Sequence, residues 1–287
     1  MKTVAVTGAN GFLGRELVRH LSSKGWQVVA LVRKPKLSAD PKVRFEHYDM
    51  EAPIEPGLLD GVDVLVHAAF IKYDAKHPDA MEQNIEATRA LLAAAKKSGV
   101  KKCIFISSMS AHDEAVSVYG RQKLATEKLF DAARDVVLRC GLIMGKGGIV
   151  RQMAQFMRSK HVVPLIGGGK QPLQVIGVYN LVELIEKAAK SKVAGRFVAA
   201  TPQVYTYKQF YQALAKALKT PVLYMPIPYG VLLAIFRTAS ALRVPLGVGE
   251  DNLMGLKMLR SMKSAKDLKK LGMQLDDLPT VLSKISI

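Results

Sequence analysis

A chain of 287 residues, 49% of them hydrophobic, holds one large α/β domain or a main domain with a smaller lobe, which excludes a disordered or fibrous protein. Its two cysteines, Cys103 and Cys140, lie inside apolar runs, which suits buried thiols and argues against a disulfide framework or a metal site. The net charge of +18 favours anionic partners, but the lysine clusters at Lys96, Lys97, Lys101 and Lys102 and at Lys263, Lys266, Lys269 and Lys270 lack interleaved aromatics, so no nucleic-acid partner is expected.

In chain order, Thr3–Thr7 is β-branched and apolar, as a strand buried on both faces would be. Gly8, Gly11 and Gly14 follow where a helix, Gly11 to Lys24, should begin. Strand, glycine turn and helix together offer backbone N–H groups and a positive helix end to a pyrophosphate. The first apolar run is only a strand long, so no signal-peptide layout is present and a cytoplasmic location is the expectation. Further strands are predicted at Gln27–Val32, Val43–His47, Val64–His67, Cys103–Ser107 and Val136–Arg139, with helices at Ala80–Lys97 and Tyr119–Ala133. This alternation predicts an α/β fold with a Rossmann-type, doubly wound parallel sheet.

After Gly141 the glycines and prolines multiply. Strands are predicted only near Arg196–Ala200 and Val222–Met225, and the division expected is a dinucleotide-binding core over 1–145 and a smaller, loop-rich C-terminal substrate lobe over 146–287 that is mixed with late sheet elements. The apolar run Val231–Val248 is interrupted by Arg237 and Arg243 and ended by Pro245. It reads as a buried helix or substrate lid, with peripheral membrane contact the lesser alternative.

Tyr119 and Lys123 stand four apart at a helix start, which puts both side chains on one face. A nearby ammonium stabilises a phenolate and lowers its pKa. Ser107 and Ser108 end a strand on the same sheet edge as the glycine turn, where a hydroxyl can hold a substrate oxygen. The second strand ends Val32-Arg33-Lys34 with no acid before Asp40, which suits a 2′-phosphate, so NADP(H) is preferred and NAD(H) is the alternative.

These pieces resemble the short-chain dehydrogenase/reductase superfamily in its extended, epimerase/dehydratase-like branch. The resemblance rests on Thr7-Gly8-Ala9-Asn10-Gly11-Phe12-Leu13-Gly14, His67-Ala68-Ala69, Asn84 with Thr88, Ser107-Ser108, Tyr119 with Lys123 and Glu127, and Leu138-Arg139-Cys140-Gly141. It is dense over residues 3–148 and thin beyond. It implies Tyr119 as the acid–base residue, Lys123 as its pKa tuner and ribose ligand, and Ser108 (or Ser107) as the holder of the substrate oxygen. Asn84 would relay a proton or pack a helix. Thr7, Gly8, Asn10 to Gly14, Arg33, Lys34, Asp49, Met50, His67, Ala68, Ala69, Ser107, Cys140 and Gly141 would line the cofactor site. Relatives commonly dimerise through the two helices named above, so a homodimer is implied as well.

Two departures stand out: Cys140 occupies a usual proline position, and Val178-Tyr179-Asn180 replaces a Val-Asp-Asp-like stretch, with Asn180 left to cap the next helix. No metal ligand spacing occurs. The expected activity is hydride transfer between NADP(H) and a small-molecule carbonyl or secondary alcohol. The alternatives are an epimerase or dehydratase with retained cofactor and a non-catalytic, cofactor-binding accessory protein.

Overall fold

The computed structural model describes residues 2–73, 77–241 and 250–285. In chain order the elements are β1 (Thr3–Thr7), α1 (Phe12–Ser23), β2 (Gln27–Val32), β3 (Val43–His47), β4 (Val64–His67), α2 (Ala80–Lys97), β5 (Lys102–Ser108), α3 (Val118–Glu127), β6 (Val136–Cys140), β7 (Leu142–Met144), α4 (Gly148–Lys160), β8 (Val162–Ile166), β9 (Pro172–Leu173), β10 (Val175–Gly177), α5 (Val178–Lys190), β11 (Gly195–Ala199), β12 (Tyr205–Thr206), α6 (Tyr207–Leu218), β13 (Leu223–Ile227), α7 (Tyr229–Ala241), α8 (Glu250–Lys257), α9 (Ala265–Lys270) and α10 (Leu278–Lys284).

Seven strands form one parallel sheet in the order β11-β6-β5-β4-β1-β2-β3, with the reversal of winding beside β1. Side chains alternate between its faces. Val4, Val6, Val28, Ala30, Ile104 and Ile106 face one core with α1 and α5, where Leu13, Leu17 and Leu21 recur every four residues on α1. Ala5, Val29, Leu31, Cys103 and Phe105 face the other core with Leu91 and Ala95 of α2. Burial on both faces explains why these strands read as continuous apolar runs.

Beyond the carboxyl edge, short strands pair two by two, β7 with β10, β9 with β12 and β8 with β13. With α4, α6 and α10 they enclose a second core around Met157, Phe210, Leu214 and Val281. Thr206 and Gln209 form a reciprocal capping box at the start of α6.

The structure corrects three expectations. α3 stops at Glu127 rather than Ala133: from Lys128 to Phe130 the backbone N–H groups bond carbonyls three residues back, and the Asp131 N–H is then taken by the Asp135 carboxylate at 3.1 Å, which also accepts from Cys103 N at 2.9 Å. Asn180 does not cap α5: the cap position is Gly177, and Asn180 lies inside the first turn. α7 is not buried. Phe236 is enclosed, but Val231 and Ile235 are about half exposed, at 51% and 49%. Arg243, Pro245 and Val248 lie outside the described residues. No helix among the described residues is long and apolar enough to cross a membrane.

Candidate active site

The turn after β1 is built around three glycines: Gly8 and Gly14 have no room for a Cβ, and one on Gly11 would sit a tight 3.1 Å from the Gly8 carbonyl oxygen. Gly8 has φ +67°, and its missing Cβ would sit 2.9 Å from Ala69 N. A Cβ on Gly14 would fall 2.1 Å from the Gly8 carbonyl oxygen, which is how α1 comes to lie against β1. Gly11 is the cap residue of α1, no side chain caps that helix end, and its first turn holds no acid. The bare, positive end of a helix framed by glycines fits a pyrophosphate. Asn10 and Phe12 flank this cradle, and the Phe12 ring fills the space that a Cβ on Gly145 or Gly147 would need, at 2.6 Å in each case.

Beside the turn, Thr7 Oγ1 accepts from Ala68 N at 3.1 Å and Ala69 N at 3.0 Å and holds the loop after β4. His67 is enclosed, with Nδ1 bonded to Thr7 and Nε2 to Thr88. Burial, with a contribution from Lys123, pushes its pKa down to about 3. Asn84 spends its amide on the backbone: Nδ2 donates to the Ile71 and Ala80 carbonyls and Oδ1 accepts from Ile71 N. That is the packing role, fastening α2 to the loop before it.

Ser108 and Cys140 are register partners at the carboxyl ends of β5 and β6. The Ser108 hydroxyl accepts from Ser110 N at 3.1 Å and faces the Tyr119 phenol. Desolvation raises the pKa of that phenol, although Tyr119 keeps 40% of its surface exposed, and the nearby Ser108 hydroxyl opposes the rise. The lowering predicted from the Tyr–Lys spacing is absent in this arrangement, because Lys123 Nζ is turned to the Ile106 carbonyl at 2.9 Å. Nζ also lies over the rings of Phe70, at 4.3 Å, and Phe105, at 4.7 Å. Burial lowers the Lys123 pKa to about 8. Phe70 touches both partners, packing edge-on against Tyr119 at 5.4 Å. Its signal in the sequence is its place immediately after His67-Ala68-Ala69.

Ser107 points the other way. Its hydroxyl donates to Glu127 Oε1 at 2.6 Å, and Glu127 also takes a forked bond from Arg139 and a 2.8 Å contact from Arg196. Ser107 therefore anchors α3 to the sheet, and Ser108 alone of the two faces the cavity.

Arg33 and Lys34 are exposed just past β2, whose Leu31 is in register with Thr7. Asp49 and Met50, after β3, are half-buried, with Asp49 Oδ1 accepting from Glu51 N. Cys140 and Gly141 line the cavity that Ser108 and Tyr119 open into, which has a volume of about 340 Å³. Burial pushes the Cys140 thiol up to about 12, so it is not a nucleophile at neutral pH. A Cβ on Gly141 would sit 2.4 Å from the Gln174 carbonyl oxygen. Leu259 and Arg260 close the cavity from the C-terminal part, a contribution no motif announced. Among the described residues no group of three or more His, Cys, Asp or Glu could hold a metal ion.

Residues 4–200 match the NAD dependent epimerase/dehydratase family. The UDP-glucose 4-epimerase of Vibrio cholerae is 28% identical over 261 residues, 79% of each chain. The ceramide reductase of Caulobacter vibrioides is 33% identical over 156 residues, 50% of this chain and 47% of that protein. An uncharacterised protein of Mycobacterium bovis is 28% identical over 219 residues, and the match spans 75% of this chain but only 23% of that relative's length. Among solved structures, the human epimerase family protein SDR39U1 with NADPH has the same fold, with a TM-score of 0.77 at 21% identity over 99% of each chain. The family match runs from the first strand of the central sheet to the last and takes in the glycine turn, Ser108, Tyr119 and Lys123, so the chain belongs to the NAD-dependent epimerase/dehydratase family.

Proposed function

We propose that the chain is an NADP(H)-dependent oxidoreductase acting on a carbonyl or secondary alcohol carbon, with Tyr119 as its acid–base residue. The observation that carries this reading is that Ser108 and Tyr119 line one cavity, with the buried Lys123 ammonium one turn further along the helix from Tyr119. The nicotinamide, when bound, supplies or accepts the hydride.

The chain's own groups have separable tasks. The Phe12 and Leu13 N–H groups at the start of α1 would hold the pyrophosphate. Arg33 and Lys34 would take the 2′-phosphate, Asp49 and Met50 would flank the adenine, and Lys123 would hold the ribose hydroxyls. Ser108 would donate a hydrogen bond to the substrate oxygen. Tyr119, a phenol protonated at neutral pH whose pKa lies above its ordinary value, would deliver its proton to that oxygen during reduction. Residues 1–145 would serve the cofactor and 146–287 mainly the substrate.

The test is reduction of a carbonyl panel with NADPH and with NADH. A Tyr119→Phe variant is expected to lose roughly 10²–10⁴-fold in kcat while binding the cofactor as before. Turnover that survives Tyr119→Phe would remove the acid–base assignment. The match to the Vibrio cholerae epimerase favours a second reading, epimerisation with retained cofactor. Interconversion of UDP-glucose with no net change in cofactor redox state would put that reading first.

A further inference from the structure

The cavity carries a charge pattern that narrows the substrate, provided that Tyr119 and Ser108 act as proposed. Its walls are apolar for the most part, from residues such as Phe12, Met109, Leu142, Ile143 and Leu173, and Arg260 is the one charged side chain among its described lining residues. A substrate that fills it must therefore bury apolar surface and offer one matching negative charge.

Arg260 is held in place by its neighbours. It lies on the segment between α8 and α9, and Gln174 clamps that segment from the cavity floor. Gln174 Nε2 donates to the Met262 carbonyl at 3.0 Å, and its Oε1 accepts from Met262 N at 2.8 Å. The loop before α3 lies on the other side of Arg260. From the same loop, Glu114 takes the guanidinium fork: Oε1 accepts from Arg260 Nη1 at 2.6 Å and Oε2 from Nη2. The two side chains are 48% and 61% exposed, so this pair is screened and readily exchanged. The fork is thus set to a carboxylate, and the carboxylate now in it is a weakly held one. A carboxylate arriving inside the apolar cavity would meet Arg260 with less water around it and bind more firmly than Glu114 does.

We infer that the substrate is an apolar ketone, aldehyde or secondary alcohol bearing a single carboxylate, and that Arg260 selects it by exchanging Glu114 for the ligand's carboxylate. A diphosphate would bring at least two negative charges against one guanidinium, with Glu114 adjacent.

The probes are 4-benzoylbutyrate and its methyl ester, two aryl ketones of nearly equal shape that differ in charge. Binding is measured by calorimetry to the full chain saturated with NADP⁺ or, if that does not bind, NAD⁺, so that no ketone is reduced. The acid is expected to bind at least about 10-fold more tightly than the ester. Arg260→Gln should bring the acid to the ester's affinity, and Arg260→Lys should restore part of the preference. Glu114→Gln should tighten the acid several-fold and leave the ester unchanged, an effect of opposite sign that a fold defect cannot mimic. Equal affinities, a preference that survives Arg260→Gln, or no binding of the acid at millimolar concentration would overturn the inference. A parallel NADPH turnover assay separates the two readings. Acid and ester reduced alike would keep the reductase and remove the carboxylate site. Arg260-dependent binding without reduction would keep the site and remove the reductase.

Discussion

Thr7 and His67, on adjacent strands, share a 2.8 Å hydrogen bond whose direction is fixed by the groups around it. The Thr88 hydroxyl donates to the Asn84 carbonyl at 2.7 Å, so it can only accept from His67 Nε2, 3.0 Å away. Nδ1 is then the acceptor, and the network assigns the Thr7 hydroxyl as its donor. The Thr7 lone pairs receive Ala68 N and Ala69 N. A neutral imidazole satisfies every group in this chain, and a charged one would leave Thr7 facing a second donor. The pair therefore fixes the loop against which Gly8 packs, and with it the shape of the phosphate cradle.

This arrangement makes stability depend on pH. The His67 pKa is about 3 in the folded state and about 6.5 when unfolded, so the unfolded chain binds more protons in between. The contribution is fully present above pH ~6.5 and is lost as pH falls toward 3. Between pH ~7.5 and ~5 the loss from this one group should be roughly 2 kcal/mol. Urea unfolding of the native chain and of His67→Gln at both pH values measures it. The variant should be less stable at pH ~7.5 but lose less on acidification, and an equal loss in both chains would refute the assignment.

Lys123 should show stability and activity moving in opposite directions. Its pKa of about 8 lies below the ordinary lysine value because burial disfavours the ammonium, so the folded state gains stability as pH climbs from 8 through the unfolded value near 10.5. At neutral pH the buried charge costs stability. Lys123→Met should be at least as stable as the native chain at pH ~7 in urea unfolding, while its turnover falls by about 10-fold or more. Turnover of the native chain should also decline above pH ~8. Parallel loss of stability and activity in the variant would make Lys123 a structural residue.

The sheet was legible because strands buried on both faces carry their own signal: β1 to β4 were read to the residue, and β5 and β6 to within one at each end. The glycine turn was legible for the same local reason, since at Gly8 and Gly14 only glycine tolerates those contacts. Residue type and spacing singled out Ser108, Tyr119 and Lys123 as candidates, yet could not tell that Lys123 turns to Ile106 or that Ser107 turns to Glu127. Those choices depend on burial and on partners far along the chain, Arg139 and Arg196 among them. Strands of two or three residues such as β9 and β12 have no periodicity to read, because their pairing comes from the tertiary fold. Arg260 reaches the cavity on a segment that Gln174 pins at Met262, a contact across 88 positions that no local pattern encodes.

Gly14 tests the cradle directly. An added Cβ would meet the Gly8 carbonyl oxygen at 2.1 Å and Ala9 Cα at 2.7 Å, both backbone atoms that cannot step aside. Gly14→Ala must push α1 away from β1, with an expected loss of about 3 kcal/mol or more and of dinucleotide binding. Gly230 is the control: its Cβ would meet nothing within 4 Å, and it lies in the first turn of α7. Gly230→Ala should be neutral or stabilising by up to about 1 kcal/mol. Thermal melts with and without NADPH compare the two, and retained binding by Gly14→Ala would displace the cradle from the cofactor assignment.

Arg33 separates the two cofactors. The register of Thr7 with Leu31 sets the end of β2 beside the glycine turn, and Arg33 and Lys34 stand exposed there with no acid between Gln27 and Asp40. Asp40 is occupied locally, its carboxylate accepting from Lys42 N at 2.9 Å. A guanidinium that binds a 2′-phosphate contributes a charge-assisted bond that NADH cannot form. Arg33→Gln should therefore weaken NADPH by about 10–100-fold and change NADH by less than about 2-fold in fluorescence titrations. Lys34→Gln, as a more flexible point charge, should act in the same direction but less strongly. An equal loss for both cofactors would instead place Arg33 against the adenine, which NADH and NADPH share.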